Sequence, residues 1–145
     1  MTIAECAERV GKLDLHREVQ IALGVNALEV IRLNQAQLYD KGQDITGARL
    51  KGYEQPWYIA YKLGKNPAGV TDLKDTGALY DAMYLDVEPE TFEVGSQDEK
   101  EMDLQGKYGK DIFGLSADSI GQLIEQKIMP ALVAAIEKQT GLAMT

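Results

Sequence analysis

Two stripes of apolar residues at helical spacing dominate the chain. The first lies in "DLHREVQIALGVNALEVIRLNQAQLYDK", residues 14–41, where Ile21, Val25, Leu28, Ile31, Gln35 and Leu38 follow one another at steps of 4, 3, 3, 4 and 3. That is the period of one long helix. Asp14 is an N-cap residue type and Gly42 a natural stop, and Gly24 marks the place for a bend or a close contact. The second stripe is Ile120, Leu123, Ile124, Ile128, Leu132, Val133 and Ile136, with Ser116 as N-cap, Asp118 in the first turn and Gly141 at the end. Pro130 falls inside it and predicts a kink. Between the stripes the period changes to two: "YLDVE" (84–88) and "TFEVGS" (91–96), joined through Pro89-Glu90, read as a hairpin. Shorter helices are expected over "TIAECAERVG", over Ala78–Met83, and in the polar run that ends near Gly106 or Gly109.

Residues 42–75 follow neither period. They hold five Gly, two Pro, and four of the chain's aromatic residues, Tyr53, Trp57, Tyr58 and Tyr61. A long irregular segment is uncommon in a compact domain unless it functions or meets a partner, and a disordered linker is poor in aromatics. The expectation is an extended arm that packs on something outside its own domain, such as a neighbouring copy. The whole, residues 1–145, then reads as a single α+β domain: long N-terminal helix, small antiparallel sheet with a hairpin, long C-terminal helix, and the arm at 42–75. Its expected core is Leu28, Ile31, Leu38, Leu79, Phe92, Val94, Ile120, Leu123, Ile124 and Ile128, with Phe113 anchoring the last helix as a hydrophobic staple would.

Charge narrows the function. Fifteen Lys and Arg against 23 Asp and Glu give −8, a balance that disfavours wrapping around phosphates. One cysteine, Cys6, allows no internal disulfide, no apolar run approaches the ~20 residues of a membrane helix, and no secretion signal is read at the N-terminus. An intracellular, soluble product is expected.

"DTGALYDAMY" (75–84) is the one motif that suggests chemistry, because Asp-Thr-Gly-Ala is how an aspartic protease strand reads. Such a site needs its Asp at the end of a buried apolar strand, facing a second carboxylate. Here "GVTDLKD" precedes Asp75 and a helix follows. A structural role is expected instead, Asp75 or Thr76 capping the helix that begins at Ala78, with Gly77 easing the turn. A single His16 and a single Cys6 make no zinc set, and the carboxylates Asp98, Glu99, Glu101 and Asp103 lack calcium-loop spacing. Neither catalytic residues, nor a metal, nor a cofactor are expected.

The order of elements resembles a known family. "TDLKDTGALYDAMYLDVEPETFEVGS" is similar to the central segment of tailed-phage virion morphogenesis proteins, the tail-completion or head–tail joining group that includes the phage Mu type. Leu73, Thr76, Gly77, Leu79, Val94 and Gly95 match in order. Tyr108, Gly109, Phe113, Gly114, Leu115 and Ser116 resemble the family's approach to its C-terminal helix, and "YDKGQDITGARLKGY" (39–53) its turn after the first helix. The likeness spans roughly residues 38–130. It departs in placing Gly114 directly after Phe113, in Asp111-Ile112 where Arg-Pro is usual, and in a longer acidic insert at 97–107. It implies a structural virion protein of the neck or tail, a tail-completion protein or a head–tail connector, made in the host cytoplasm and assembling as a homo-oligomeric ring without catalysis. Its implied partners are its own copies, neighbouring neck, portal or tail proteins, and double-stranded DNA passing through the lumen without specific binding. An acidic lumen would repel the duplex. Two other classes compete: an adaptor that binds a partner through the arm, and a dimeric aspartic protease acting through Asp75.

Overall fold

The computed structural model describes residues 1–144 and has an α+β fold. Helix α1 (Ile3–Gly11) opens on a capping box: Glu5 N–H donates to the Thr2 hydroxyl, and the Glu5 carboxylate accepts from Thr2 N–H. Asp14 caps α2 (Leu15–Val25) by accepting from Arg17 N–H at 3.1 Å. The long N-terminal helix predicted over 14–41 is broken. At Asn26 the backbone leaves helical geometry (φ −100°, ψ 24°), the Asn26 side chain donates back to the Ala22 carbonyl, and α3 (Ala27–Lys41) starts afresh. The break resets the phase. The buried stripe of α3 is Val30, Leu33, Asn34, Gln37 and Leu38, whereas Leu28, expected in the core, is 83% exposed, and Ile21 and Val25 also face outward. Gly42 ends α3 in the left-handed region (φ 59°), and a Cβ there would lie 2.7 Å from Val70 Cβ. That position therefore demands glycine.

Helix α4 (Pro56–Lys65) follows a loop, and α5 (Ala78–Asp81) leads into the hairpin. Strand β1 (Met83–Val87) pairs antiparallel with β2 (Phe92–Ser96) in register Met83↔Ser96 to Val87↔Phe92. Glu88 N–H closes the turn on the Thr91 carbonyl at 2.8 Å. Helix α6 (Glu101–Tyr108) ends at Gly109, and a 3₁₀ turn (Lys110–Ile112) brings the chain to α7 (Ala117–Leu123). A π-helical turn (Ile124–Ile128) joins α7 to α8 (Met129–Thr140).

That π turn answers the problem posed by Pro130. A proline has no N–H to give the carbonyl four residues back and collides with it in an α-helix. Here the ladder widens one turn earlier, Met129 N–H reaching the Ile124 carbonyl, and Pro130 sits in the first turn of α8. The widened turn also moves the buried stripe: Leu123 and Ile128, five apart, are inside, while Ile120 and Ile124, both expected in the core, are exposed.

Helix α3 packs on β1 and α7, and α8 packs on α1 and α2, so the buried apolar side chains form one cluster across helices and hairpin. Leu38, Leu79, Val94, Leu123 and Ile128 lie in it as expected, with Ile31 and Phe92 at its edge.

Candidate functional site

The arm at 42–75 is neither extended nor irregular throughout. Pro56 in its first turn sets φ for α4, and the ten residues Pro56–Lys65 form the least conventional helix in the molecule. Its inward stripe, at steps of four, is half-buried Tyr58, buried Lys62 and, just past the C-terminus, buried Asn66. Its outward side carries Trp57 (70% exposed), Ile59, Tyr61 and Leu63, all exposed. A surface helix ordinarily turns its apolar stripe inward. In α4 the polarity is reversed.

What holds α4 down is charge and hydrogen bonding. Lys62 Nζ lies 2.8 Å from Asp72 Oδ1, both side chains buried, and also donates to the Lys74 carbonyl. The other carboxylate oxygen, Asp72 Oδ2, accepts from Asn66 Nδ2 at 2.9 Å, and Lys74 N–H donates to Oδ1 at 2.9 Å. Asn66 bonds in turn to the Tyr39 carbonyl at the end of α3. Tyr80 donates to the Asp72 carbonyl, and Tyr53 OH reaches Oδ1 at 3.4 Å. Burial alone pushes the Asp72 carboxyl upward, but the bonds from Lys62, Asn66 and Lys74 N–H, with the Lys62 charge, together outweigh it and leave it below the usual carboxylate range. Burial, reinforced by the Asp72 charge, raises both the Tyr53 and Tyr80 phenols, so both are neutral donors. The network imposes a left-handed backbone on Leu73 (φ 58°), a conformation that costs a branched residue about 1–3 kcal/mol. No buried side-chain polar atom among the described residues lacks a partner.

The four aromatic residues expected in the arm come together. Tyr53 and Tyr58 meet edge to face at 4.9 Å, Trp57 and Tyr58 at 5.5 Å, and Tyr58 and Tyr61 lie 5.8 Å apart. Tyr53, Trp57 and Tyr58 form one wall of a cleft of about 440 Å³, whose far side is Leu104, Lys107 and Tyr108 of α6, with Lys74, Asp75 and Lys100 at its rim. The arm thus packs partly on its own domain, through Tyr53 and Tyr58, and presents Trp57 and Tyr61 outward.

Asp75 lies in a bend at this rim, more than half exposed, 3.8 Å from Lys100 Nζ. It does not cap α5. The turn is held by Thr76, whose hydroxyl accepts from Ala78 N–H at 3.3 Å, and by Gly77 in the left-handed region (φ 92°). A buried strand end, which an aspartic dyad needs, is not what surrounds it. Asp75→Asn is accordingly expected to change the unfolding free energy by less than about 1 kcal/mol, as chemical denaturation would show.

The second motif, Phe113-Gly114-Leu115-Ser116, is clamped from α3. Asn34 donates to the Ile112 carbonyl at 3.1 Å and accepts from Gly114 N–H at 2.9 Å, pairing with the loop as a strand would. Gln37 Oε1 accepts from Ser116 N–H at 2.8 Å. Gly114 has φ 127°, and a Cβ would fall 2.9 Å from Ile45 Cγ2. Ser116 caps α7 by accepting from Ser119 N–H, as expected. Phe113 is buried, but it lies three residues before the cap; Leu115 occupies the staple position.

The residues that organise both sites, Lys62, Asn66 and Asp72 in one and Asn34 and Gln37 in the other, escape a reading of apolar periodicity because they are polar. One signal was present: Asn34 and Gln37 stand among the apolar residues of α3 at helical spacing. Among the described residues, no group of three or more His, Cys, Asp or Glu is placed to hold a metal ion, and no helix is long and apolar enough to cross a membrane. Comparison with protein-family models, curated proteins and solved structures finds no match to the chain.

Proposed function

We propose that the chain is a non-catalytic structural subunit of a tailed-phage neck or tail, either a tail-completion protein or a head–tail connector, that assembles with copies of itself as a ring around the DNA conduit. The observation that carries the assembly role is the reversed polarity of α4. Four large apolar side chains are held in solvent by a buried ion pair and its hydrogen bonds, on a helix that a monomer alone would be more stable burying. Tryptophan and tyrosine presented rigidly in this way are the residue types that dominate interface energetics. The phage setting rests on the ordered likeness of residues 38–130, whose two motifs occupy constrained turns: Thr76-Gly77 before α5, and Phe113-Gly114 under the clamp from α3. Neck, portal or tail proteins would be its further neighbours, and DNA would pass without specific contact.

Native mass spectrometry of the purified chain tests this reading. A closed oligomer of defined stoichiometry is expected, and Trp57→Ala, which removes a side chain with no core role, should weaken association by about 2 kcal/mol or more while leaving the monomer folded. A chain that stays monomeric at every concentration, and gains an oligomeric form only with a foreign protein, would favour the adaptor reading instead. Cleavage of a peptide that is lost on Asp75→Asn would restore the protease.

A further inference from the structure

We propose that subunits associate head to tail, α4 of one seating Trp57 in the apolar cleft between α2 and the hairpin turn of the next. The inference rests on the ring reading above and names its contact. The acceptor is a cleft of about 390 Å³ walled by Leu15, Val19 and Leu23 of α2 and by Pro89 and Phe92 of the hairpin. Its rim is acidic, with Glu88 exposed and Glu90 Oε2 3.2 Å from His16 Nε2. The donor side of α4 carries Trp57, Tyr61 and Lys65 at steps of four, all exposed, with Lys65 Nζ 4.7 Å from the Tyr61 ring centroid. An indole has a cleft to fill, and an ammonium two turns further along the helix has carboxylates to meet.

The distribution of charge supports this pairing over a two-fold contact between α4 helices. Residues 49–65 expose Arg49, Lys51 and Lys65 against Glu54 alone, Lys62 being buried against Asp72. Residues 81–103 hold nine carboxylates against Lys100 alone, which equals the net −8 of the entire chain. Two copies meeting α4 to α4 would bring like charges together, whereas α4 to hairpin brings opposite ones together and steers the encounter. The cleft and α4 share no residue, so each subunit can offer both surfaces to different neighbours. A heterologous contact of that kind generates a ring when its rotation closes.

Charge reversal in two separate chains distinguishes the arrangements, with the fluorescence of Trp57, the only tryptophan, as the reporter of seating. Both reversals fall on exposed side chains, and circular dichroism verifies folding. Lys65→Glu alone and Glu90→Lys alone should each weaken assembly about tenfold. An equimolar mixture should recover it, because in an alternating ring every contact is again between opposite charges. Wild-type assembly should also shift Trp57 emission to the blue. If the wild type assembles but its emission is unmoved, or the mixture is no better than either variant, the head-to-tail contact is overturned and the ring reading stands. If the wild type is monomeric throughout, both fall.

Discussion

Lys62→Met is expected to release α4 from the domain. Lys62 and Asp72 are both buried, 2.8 Å apart, and a methionine of similar length leaves the carboxylate without its counter-charge. Breaking one side of a buried pair costs about 3–5 kcal/mol, chiefly for the charge left behind. Asp72 would keep its bonds from Asn66 and Lys74 N–H, so the loss should be concentrated in residues 56–75. Urea denaturation and hydrogen exchange read the two parts separately: a lower midpoint, and loss of amide protection confined to α4 and the segment after it. Replacing both partners, with Lys62→Met and Asp72→Asn together, should recover part of the loss because no charge remains buried. An unchanged midpoint with unchanged protection in the single variant would refute the account. The same pair sets an acid limit. Because Asp72 is held below the usual carboxylate range in the folded state, its contribution is complete above about pH 4, the ordinary carboxylate value. It is lost only as pH falls through the depressed folded value. Protection of α4 should therefore survive at pH 5 and fail in stronger acid. Lys62→Met removes two of the causes of that depression and should move the failure to higher pH.

The places where sequence periodicity and structure part company share a cause. Apolar spacing located the α+β elements, the hairpin, and the ends of α3 and α8, because those depend on local chemistry: Asp14 and Ser116 as caps, Gly42 and Gly141 as stops. It failed where a backbone irregularity shifts the helical phase. Asn26 rotates everything after it, so a stripe that ran through Leu28 in an unbroken helix lies outside in the real one. The π turn before Pro130 likewise breaks the second stripe, so that Leu123 and Ile128, five apart, are the residues inside. The arm hides its helix from periodicity for another reason. Its aromatic content pointed to an interface, but α4 has no apolar stripe facing the core, and what fixes it is a lysine, an aspartate and an asparagine brought together from ten or fewer residues apart. Such networks specify a position through partners rather than through pattern. They leave no periodic trace to read.

Phe113→Ala should be the most damaging single change outside that network. Phe113 is buried, as are Ile112 and Leu115 on either side of it in sequence. It lines the same depression as Ile45, Phe92 and Val94, which links the loop before α7 to the hairpin. Removing a buried phenylalanine costs about 3–5 kcal/mol through lost transfer energy and the cavity left behind. A domain of this size has about 5–15 kcal/mol in total, so a fall of roughly 10 °C in Tm is expected. The backbone clamp is independent of the ring, since Asn34 bonds to Ile112 and Gly114 and Gln37 to Ser116. The far-ultraviolet spectrum should therefore be nearly unchanged at low temperature while cooperativity is retained at a lower midpoint. Phe113→Leu, which keeps most of the volume, should cost less than about 1.5 kcal/mol. Two outcomes separate packing from backbone. If Ala and Leu variants melt alike and near the parent, the ring contributes no packing and the turn is held by Asn34 and Gln37 alone. If instead the Ala variant loses its helical signal altogether, the ring is what positions the clamp, and α7 depends on Phe113 for its direction as well as for its stability.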